Sequence, residues 1–218
     1  MREFVFTEAL RTLIFATRWT ILLSLIAFVG GGIFGVLLML MRISRYKPLK
    51  WISRFYIEFF QGTPLLLQLF LIFFGIPIFT GYDVSPWISA GIALTAYVTA
   101  FLSDIWRGCI ESIPDTQWEA GRALGFNYLQ QLRLIIIPQA IKISIPPTIG
   151  FLVQVIKNTS LTAIIGFVEL TRQGQTLSNV YFQPFAIFLM VGGIYFALCY
   201  PLSTYSKKLE TKLTLASR

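Results

Sequence analysis

The 218-residue sequence predicts an all-α integral membrane protein of five transmembrane helices, with its N-terminus outside and its C-terminus in the cytoplasm. Three observations carry that prediction. Apolar residues make up 56% of the chain and charged ones 13%, more hydrocarbon than a soluble chain of this length can hide. Charge is absent over residues 19–41, 59–82, 84–103, 143–156 and 173–206, and most of these gaps hold the roughly 20 residues that cross a hydrocarbon core of about 30 Å. With the N-terminus outside, 13 of the 18 Lys and Arg fall on the cytoplasmic side: Arg42 to Arg54, then Arg107 to Lys142, then Lys207 to Arg218. The net charge of +8 is therefore a topology signal, and the implied surroundings are a lipid bilayer rather than nucleic acid.

The elements follow in order along a single domain covering residues 1–218. Span one, 19–41, holds Gly30, Gly31, Gly32 and Gly35, small residues that let a neighbouring helix approach inside the bundle. Span two begins with YIEFFQGTPLLLQ. Pro64 removes an N–H and disfavours helix at Thr63, so the chain breaks there and restarts, running on to Gly75-Ile76-Pro77. Span three covers about 86–106 and span five about 184–205, the latter preceded by an outer loop. Span four, 143–156, is too short unless it continues past Lys157 and Asn158 to Phe167, which predicts a helix broken near its middle and restarting around Asn158-Thr159-Ser160.

Between spans three and four lies the longest polar insertion, a cytoplasmic loop of about 108–142. IPDTQWEAGRALG puts Pro114 at a first turn, Asp115 and Glu119 near the positive end of the dipole, and Gly125 as the stop, which predicts a short helix. In FNYLQQLRLIIIP, Asn127 is an N-cap and Leu129, Leu132, Ile135 and Ile136 share a face, predicting a second short helix that ends at Pro138, where span four starts.

Several chemistries are disfavoured. Histidine is absent, which removes the commonest zinc ligand and the usual general base, and Cys109 and Cys199 lie far apart with no CxxC spacing. A metal site, a catalytic cysteine and a disulfide scaffold are not expected, and no removable signal peptide is evident. No GxxxxGK[ST] occurs, so ATP has to be handled by another chain.

The insertion resembles the EAA loop of ATP-binding cassette (ABC) importer permeases. Glu119-Ala120-Gly121, three residues, Gly125, nine residues and Ile135-Ile136-Ile137-Pro138 reproduce its spacing, with Gly121 in place of a third small residue and Ile137 in place of Leu. GTPLLLQLFLIFFGIP, IIIPQAIK and KNTSLTAIIGFVEL are similar to the polar amino acid branch, the histidine/glutamine type, from about Tyr56 onward. The resemblance implies a type I importer permease fold and no enzyme activity in this chain. It implies two ABC ATPase subunits that hold ATP and Mg and dock at Glu119, Ala120, Gly121, Gly125 and Pro138. It also implies a second permease chain, by preference identical, an extracytoplasmic amino-acid-binding protein, and the plasma membrane of a prokaryote. A secondary carrier or channel subunit is the alternative, disfavoured because an odd number of spans gives no inverted duplication.

Ionisable groups at membrane depth are costly unless paired or hydrated, which singles out Glu58, Asp104, Lys157 and Glu169. Thr95, Thr99 and Ser103 repeat at helical spacing, and Gln154 precedes Asn158 by four. Together these suggest a substrate pocket of Glu58, Gln61, Thr99, Ser103, Asp104, Gln154, Asn158 and Thr159. In it the restarted helix offers N–H groups to an α-carboxylate and the acids face a cationic end. Gln61 stands where the branch often has Arg, and Phe101-Leu102-Ser103-Asp104 where it has Tyr-x-x-Glu, so arginine, lysine or histidine lead as substrates. Asp115-Thr116-Gln117 replaces a common Lys-Gly-Gln, a difference to which no meaning attaches.

Overall fold

A computed structural model describes residues 5–216, with side chains through residue 213. Arg2, Glu3 and Arg218, counted above among the charges, lie outside the described residues. The described chain is helical from end to end: α1 (Phe6–Ile43), α2 (Lys47–Gly62), α3 (Leu65–Thr80), α4 (Pro86–Glu111), α5 (Asp115–Ala123), α6 (Tyr128–Gln131), α7 (Ile137–Asn158), α8 (Leu170–Tyr181) and α9 (Pro184–Ala216). Four stretches are long and apolar enough to cross a membrane: α1, α4, the run Tyr128–Ile165 and Pro184–Leu213. The bent pair α2 and α3 supplies a fifth crossing if it counts as one span.

Helix α1 starts well before the predicted span. Its buried stripe of Ala9, Leu13, Ala16, Thr17, Thr20, Leu23, Ser24, Ala27, Gly31 and Gly35 recurs every three to four residues, so one face stays against the bundle for the whole length. Ala9 and Leu13 pack on Leu170, Leu177 and Ile187, while Leu23 and Ala27 join Leu94, Val98 and Leu102 of α4. The glycine patch is internal packing, as expected. A Cβ on Gly31 would stand 2.5 Å from Val98 Cγ1, and one on Gly35 3.4 Å from the Thr99 carbonyl oxygen.

The break at Pro64 is present, and α2 and α3 meet at 103°. Thr63 and Pro64 are both extended, with ψ of 141° and 134°. Gln68 repairs the exposed backbone: its amide donates to the carbonyls of Phe60 (2.9 Å) and Thr63 (3.1 Å) and to the Thr63 hydroxyl (2.8 Å). Helix therefore does not persist from Glu58 to Gln68, and the two ends of that stretch do not share one face.

The hairpin between α4 and α7 forms as the caps dictate. Helix α5 ends at Gly125, φ +76°, where the N–H of Gly125 meets Arg122 O (2.9 Å) and that of Phe126 meets Gly121 O (3.0 Å). Asn127 caps α6 in a reciprocal box with Gln130. The second helix, however, does not end at Pro138. It runs without interruption through a wide π turn, Leu132–Ile136, into α7. Pro138 has no N–H to give the preceding turn, and the wider turn absorbs that mismatch while the Gln139 amide bonds the carbonyl of Ile135 (2.9 Å).

Two further expectations are corrected. The fourth span does not restart at Asn158-Thr159-Ser160. Asn158 and Thr159 keep right-handed helical dihedrals, and the chain tightens into a 3₁₀ turn, Thr159–Ile165, in which Thr159, Ser160 and Thr162 return their hydroxyls to carbonyls three residues back. The Thr159 N–H is taken by the carbonyl of Val155, so no free dipole end opens at that depth. The chain reverses only at Gly166, φ +89°, and restarts as α8 behind the N-cap Glu169. The outer loop expected before span five is α8 itself, held by Leu170, Gly174 and Leu177 against Ile187 and Val191.

Candidate translocation path and coupling face

Three helices bring the polar side chains together. On α4, Tyr97 and Phe101 stack against Phe151 of α7, at 6.2 and 5.4 Å between ring centroids. Asp104 follows Phe101 by three residues on that face of α4, and Gln154 and Asn158 follow Phe151 by three and seven on α7. The Gln154 amide donates to the Asn158 side chain (3.0 Å). From α2, the Gln61 amide reaches Asp104 Oδ2 at 3.5 Å. Gln61, Asp104, Gln154 and Asn158 thus line one accessible polar face built by α2, α4 and α7.

Charge on this face is partly compensated. Arg107 donates twice to Asp104 Oδ1, from Nε at 3.1 Å and Nη2 at 2.8 Å, and its other terminal nitrogen pairs with Glu111. Glu58 lies elsewhere on α2 with 61% of its side chain exposed, bound at 2.5 Å to Arg54 one turn earlier. Lys157 is exposed and forms no ion pair with a carboxylate among the described residues.

The remaining members of the expected pocket are buried and do not lie on this accessible face. Thr99 is buried on the side of α4 facing α1, its hydroxyl on the Thr95 carbonyl (2.8 Å), beside a largely apolar cavity of about 550 Å³ that Leu23, Phe34, Tyr56 and Trp87 also line. Ser103 is fully buried with its oxygen unpartnered, and Thr159 is fully buried with its hydroxyl on the Ile156 carbonyl. Glu169 is also withdrawn from any path. It is fully buried and accepts from the N–H groups of Thr171 (2.8 Å) and Arg172 (2.9 Å), from Tyr195 (2.9 Å) and from Thr20 (3.4 Å). From the sequence, Arg107 is not singled out, and Gln68 figures only as a possible fellow of Glu58 and Gln61 on one helix face, not as the residue that bonds the backbone at the Pro64 break. The signals were there: an Asp-x-x-Arg-x-x-x-Glu spacing across 104–111, and a lone glutamine four residues after a helix-breaking proline.

On the hairpin between α4 and α7, Glu119, Ala120, Leu124, Gly125, Leu129 and Pro138 are exposed. Gly121 is not. A Cβ there would stand 2.8 Å from Gln131 and 3.0 Å from Ile135, so its smallness closes the hairpin on itself. Glu119 has only a 4.0 Å contact with Arg122.

A helical bundle with a polar face in its spans and a shaped hairpin between α4 and α7 has the form of the membrane half of a transporter. Residues 31–214 match the family of binding-protein-dependent transport system inner membrane components, and the chain belongs to it. It is 37% identical to the probable glutamine ABC transporter permease protein GlnM of Bacillus subtilis (strain 168), over 89% of each chain. It is 37% identical to that organism's L-cystine transport system permease protein TcyB, over 89% of this chain and 83% of that one, and 31% identical to its arginine transport system permease protein ArtQ, over 89% of each chain. A crystal structure of an amino acid ABC transporter with histidines superposes at a TM-score of 0.88, with 31% identity, over 93% of this chain and 94% of that one. This protein is thus a membrane-embedded permease subunit of an amino acid ABC importer. It is not itself an enzyme; the ATPase is a separate subunit, and importers of this family also work with a binding protein.

Proposed function

We propose that this permease carries polar amino acids with a cationic side chain, arginine, lysine or histidine, into the cytoplasm. The observation that carries this reading is the charge of the α4 cluster. Asp104 and Glu111 flank a single Arg107, which leaves one net negative charge beside Gln61, and Gln61 adds no cation. A guanidinium or ammonium entering low dielectric needs such a counter-ion. With no helix N-terminus at residue 158, the α-carboxylate falls to the amides of Gln154 and Asn158. Glu58, committed to Arg54, contributes less than Asp104. The relatives named for arginine and solved with histidines agree with a basic substrate.

The bidentate pairing of Asp104 by Arg107, together with the relatives named for glutamine and cystine, favours a second reading: a neutral polar amino acid such as glutamine. Asp104→Asn in the complex reconstituted with its ATPase and binding protein separates the two. A cationic substrate predicts arginine uptake down by about tenfold, with glutamine uptake changed by less than about twofold. A neutral substrate predicts equal effects on both. ATP hydrolysis stimulated only by acidic or apolar amino acids overturns both readings.

The cytoplasmic hairpin docks the ATPase through its exposed face of Glu119, Ala120, Leu124 and Leu129, with Gly125 and Pro138 setting the hairpin's turn and its exit into α7. Two ATPase subunits hold ATP and Mg, a second identical permease chain completes the path, and the binding protein delivers from outside. The N-terminus then lies outside and the hairpin inside, in the plasma membrane of a prokaryote. Gly125→Trp or Glu119→Lys should uncouple ATP hydrolysis from uptake while the protein still inserts, and normal uptake in both variants contradicts the docking face.

A further inference from the structure

A polar cleft of about 410 Å³ separates the cytoplasmic end of α1 from the hairpin, lined by Arg45, Asp115, Trp118, Arg122, Tyr128 and Gln131. Three contacts converge on Tyr128 at its edge. The phenol hydroxyl donates to the carbonyl of Ile43, the last residue of α1, at 3.3 Å. The ring stacks on Trp118 of α5, with centroids 5.8 Å apart and planes 13° from parallel. The Arg45 guanidinium, just past the end of α1, sits 4.6 Å over the same ring.

The sequence connects the hairpin covalently to α4 and α7, and nothing in the chain ties it to α1, which ends more than 70 residues earlier. Apart from Tyr128, the hairpin meets α1 through the packing of Met39 and Ile43 on Ile110, Leu132 and Ile136, and indirectly through α4, on which α1 is seated. Those contacts are apolar packing without directional bonds. The Tyr128 contacts are directional: a hydroxyl on one of the orphan carbonyls that end α1, a stacked pair, and a cation over a ring face.

We propose that Tyr128, held between Arg45 and Trp118, is a positioning residue of the transport cycle, the clasp through which movement of the ATPase-docked hairpin is passed to α1. This rests on the reading of α5 as the docking helix. Helix α1 in turn is seated on α4 through Gly31 and Gly35 and reaches Glu169 through Thr20, so a displacement at its cytoplasmic end acts along the whole bundle.

The test uses the full complex in proteoliposomes and reads ATP hydrolysed per amino acid imported. Tyr128→Ala should raise that ratio by at least about threefold with the ATPase rate kept within about twofold, while Tyr128→Phe, which keeps the stack and the guanidinium contact, stays near wild type. Arg45→Ala should fall between them. An unchanged ratio in Tyr128→Ala overturns the clasp. Should that variant fail to assemble, Arg45→Ala, which leaves the hairpin's own packing intact, decides by the same criterion. Glu119→Lys serves as the control for docking. If it uncouples while Tyr128→Ala and Arg45→Ala do not, the clasp is wrong and the docking face stands; if none of the three alters the ratio, the docking face has failed as well.

Discussion

Glu169 shows what a charged residue does in this bundle when it is not part of the path. Its carboxylate is fully buried and forms no ion pair among the described residues, yet it accepts four hydrogen bonds, two from the N–H groups of Thr171 and Arg172 in the first turn of α8, one from Tyr195 of α9 and one from Thr20 of α1. The helix N-terminus supplies the positive end of a dipole that a lysine would otherwise supply. Removing the acceptor leaves the N–H groups of Thr171 and Arg172 without their side-chain partner, while the Tyr195 hydroxyl keeps its contact with the Thr171 hydroxyl (3.0 Å), and each unsatisfied buried donor costs about 1–3 kcal/mol. Glu169→Ala should therefore lower the Tm of the detergent-purified complex well below that of Glu169→Gln, which keeps one acceptor oxygen. Equal Tm values for Glu169→Ala and wild type would show that the cap contributes nothing. The residue was recognisable in the sequence as an intramembrane acid, but its role was not, because the partners Thr20 and Tyr195 come from helices 149 and 26 residues away.

The glycine patch of α1 allows a sharper comparison between neighbours on one helix. A Cβ on Gly31 would meet Val98 at 2.5 Å and the Thr99 backbone nitrogen at 3.0 Å, whereas one on Gly32 finds only Trp106 and Leu102 at 3.8 and 3.9 Å. Gly31→Ala should force α1 from α4 and cost about 1–3 kcal/mol, while Gly32→Ala should be neutral or stabilising, by up to about 1 kcal/mol from helix propensity. Thermal unfolding of the two purified variants checks the sign of each. Elements were legible where a local rule decides them: Pro64 breaks α2 from α3, Gly125 ends α5, and Asn127 with Gln130 starts α6. They were misread where tertiary context decides. The Asn-Thr-Ser run at 158–160 looks like an N-cap, but its hydroxyls turn back to carbonyls already in the helix, and the strand of polar residues in α8 looks like a loop until Val191 and Ile187 cover its buried face. The candidate path was half visible for the same reason. Asp104, Gln154 and Asn158 follow from helical spacing, while the burial of Thr99, Ser103 and Thr159 depends on which neighbour each face of α4 and α7 meets.

At the scale of the whole molecule, the chain leaves polar groups on its surface that hydrocarbon would not tolerate. Gln61, Gln154 and Lys157 are exposed within or beside apolar spans. Each such group facing lipid costs several kcal/mol, so this face has to meet water or protein. A second copy placed against it would enclose a hydrated path between two polar faces and present two cytoplasmic hairpins side by side, each with its exposed Glu119 and Leu124. Two hairpins call for two ATPase subunits. Native mass measurement of the complex extracted in a mild detergent should accordingly give two permease chains of 24.8 kDa with two ATPase chains. Glu119→Lys should leave the permease pair intact in the same preparation, because the hairpin and the polar face lie on different helices. A mass corresponding to one permease with one ATPase, in a preparation that still imports, would leave the exposed polar face without a partner and overturn the paired arrangement.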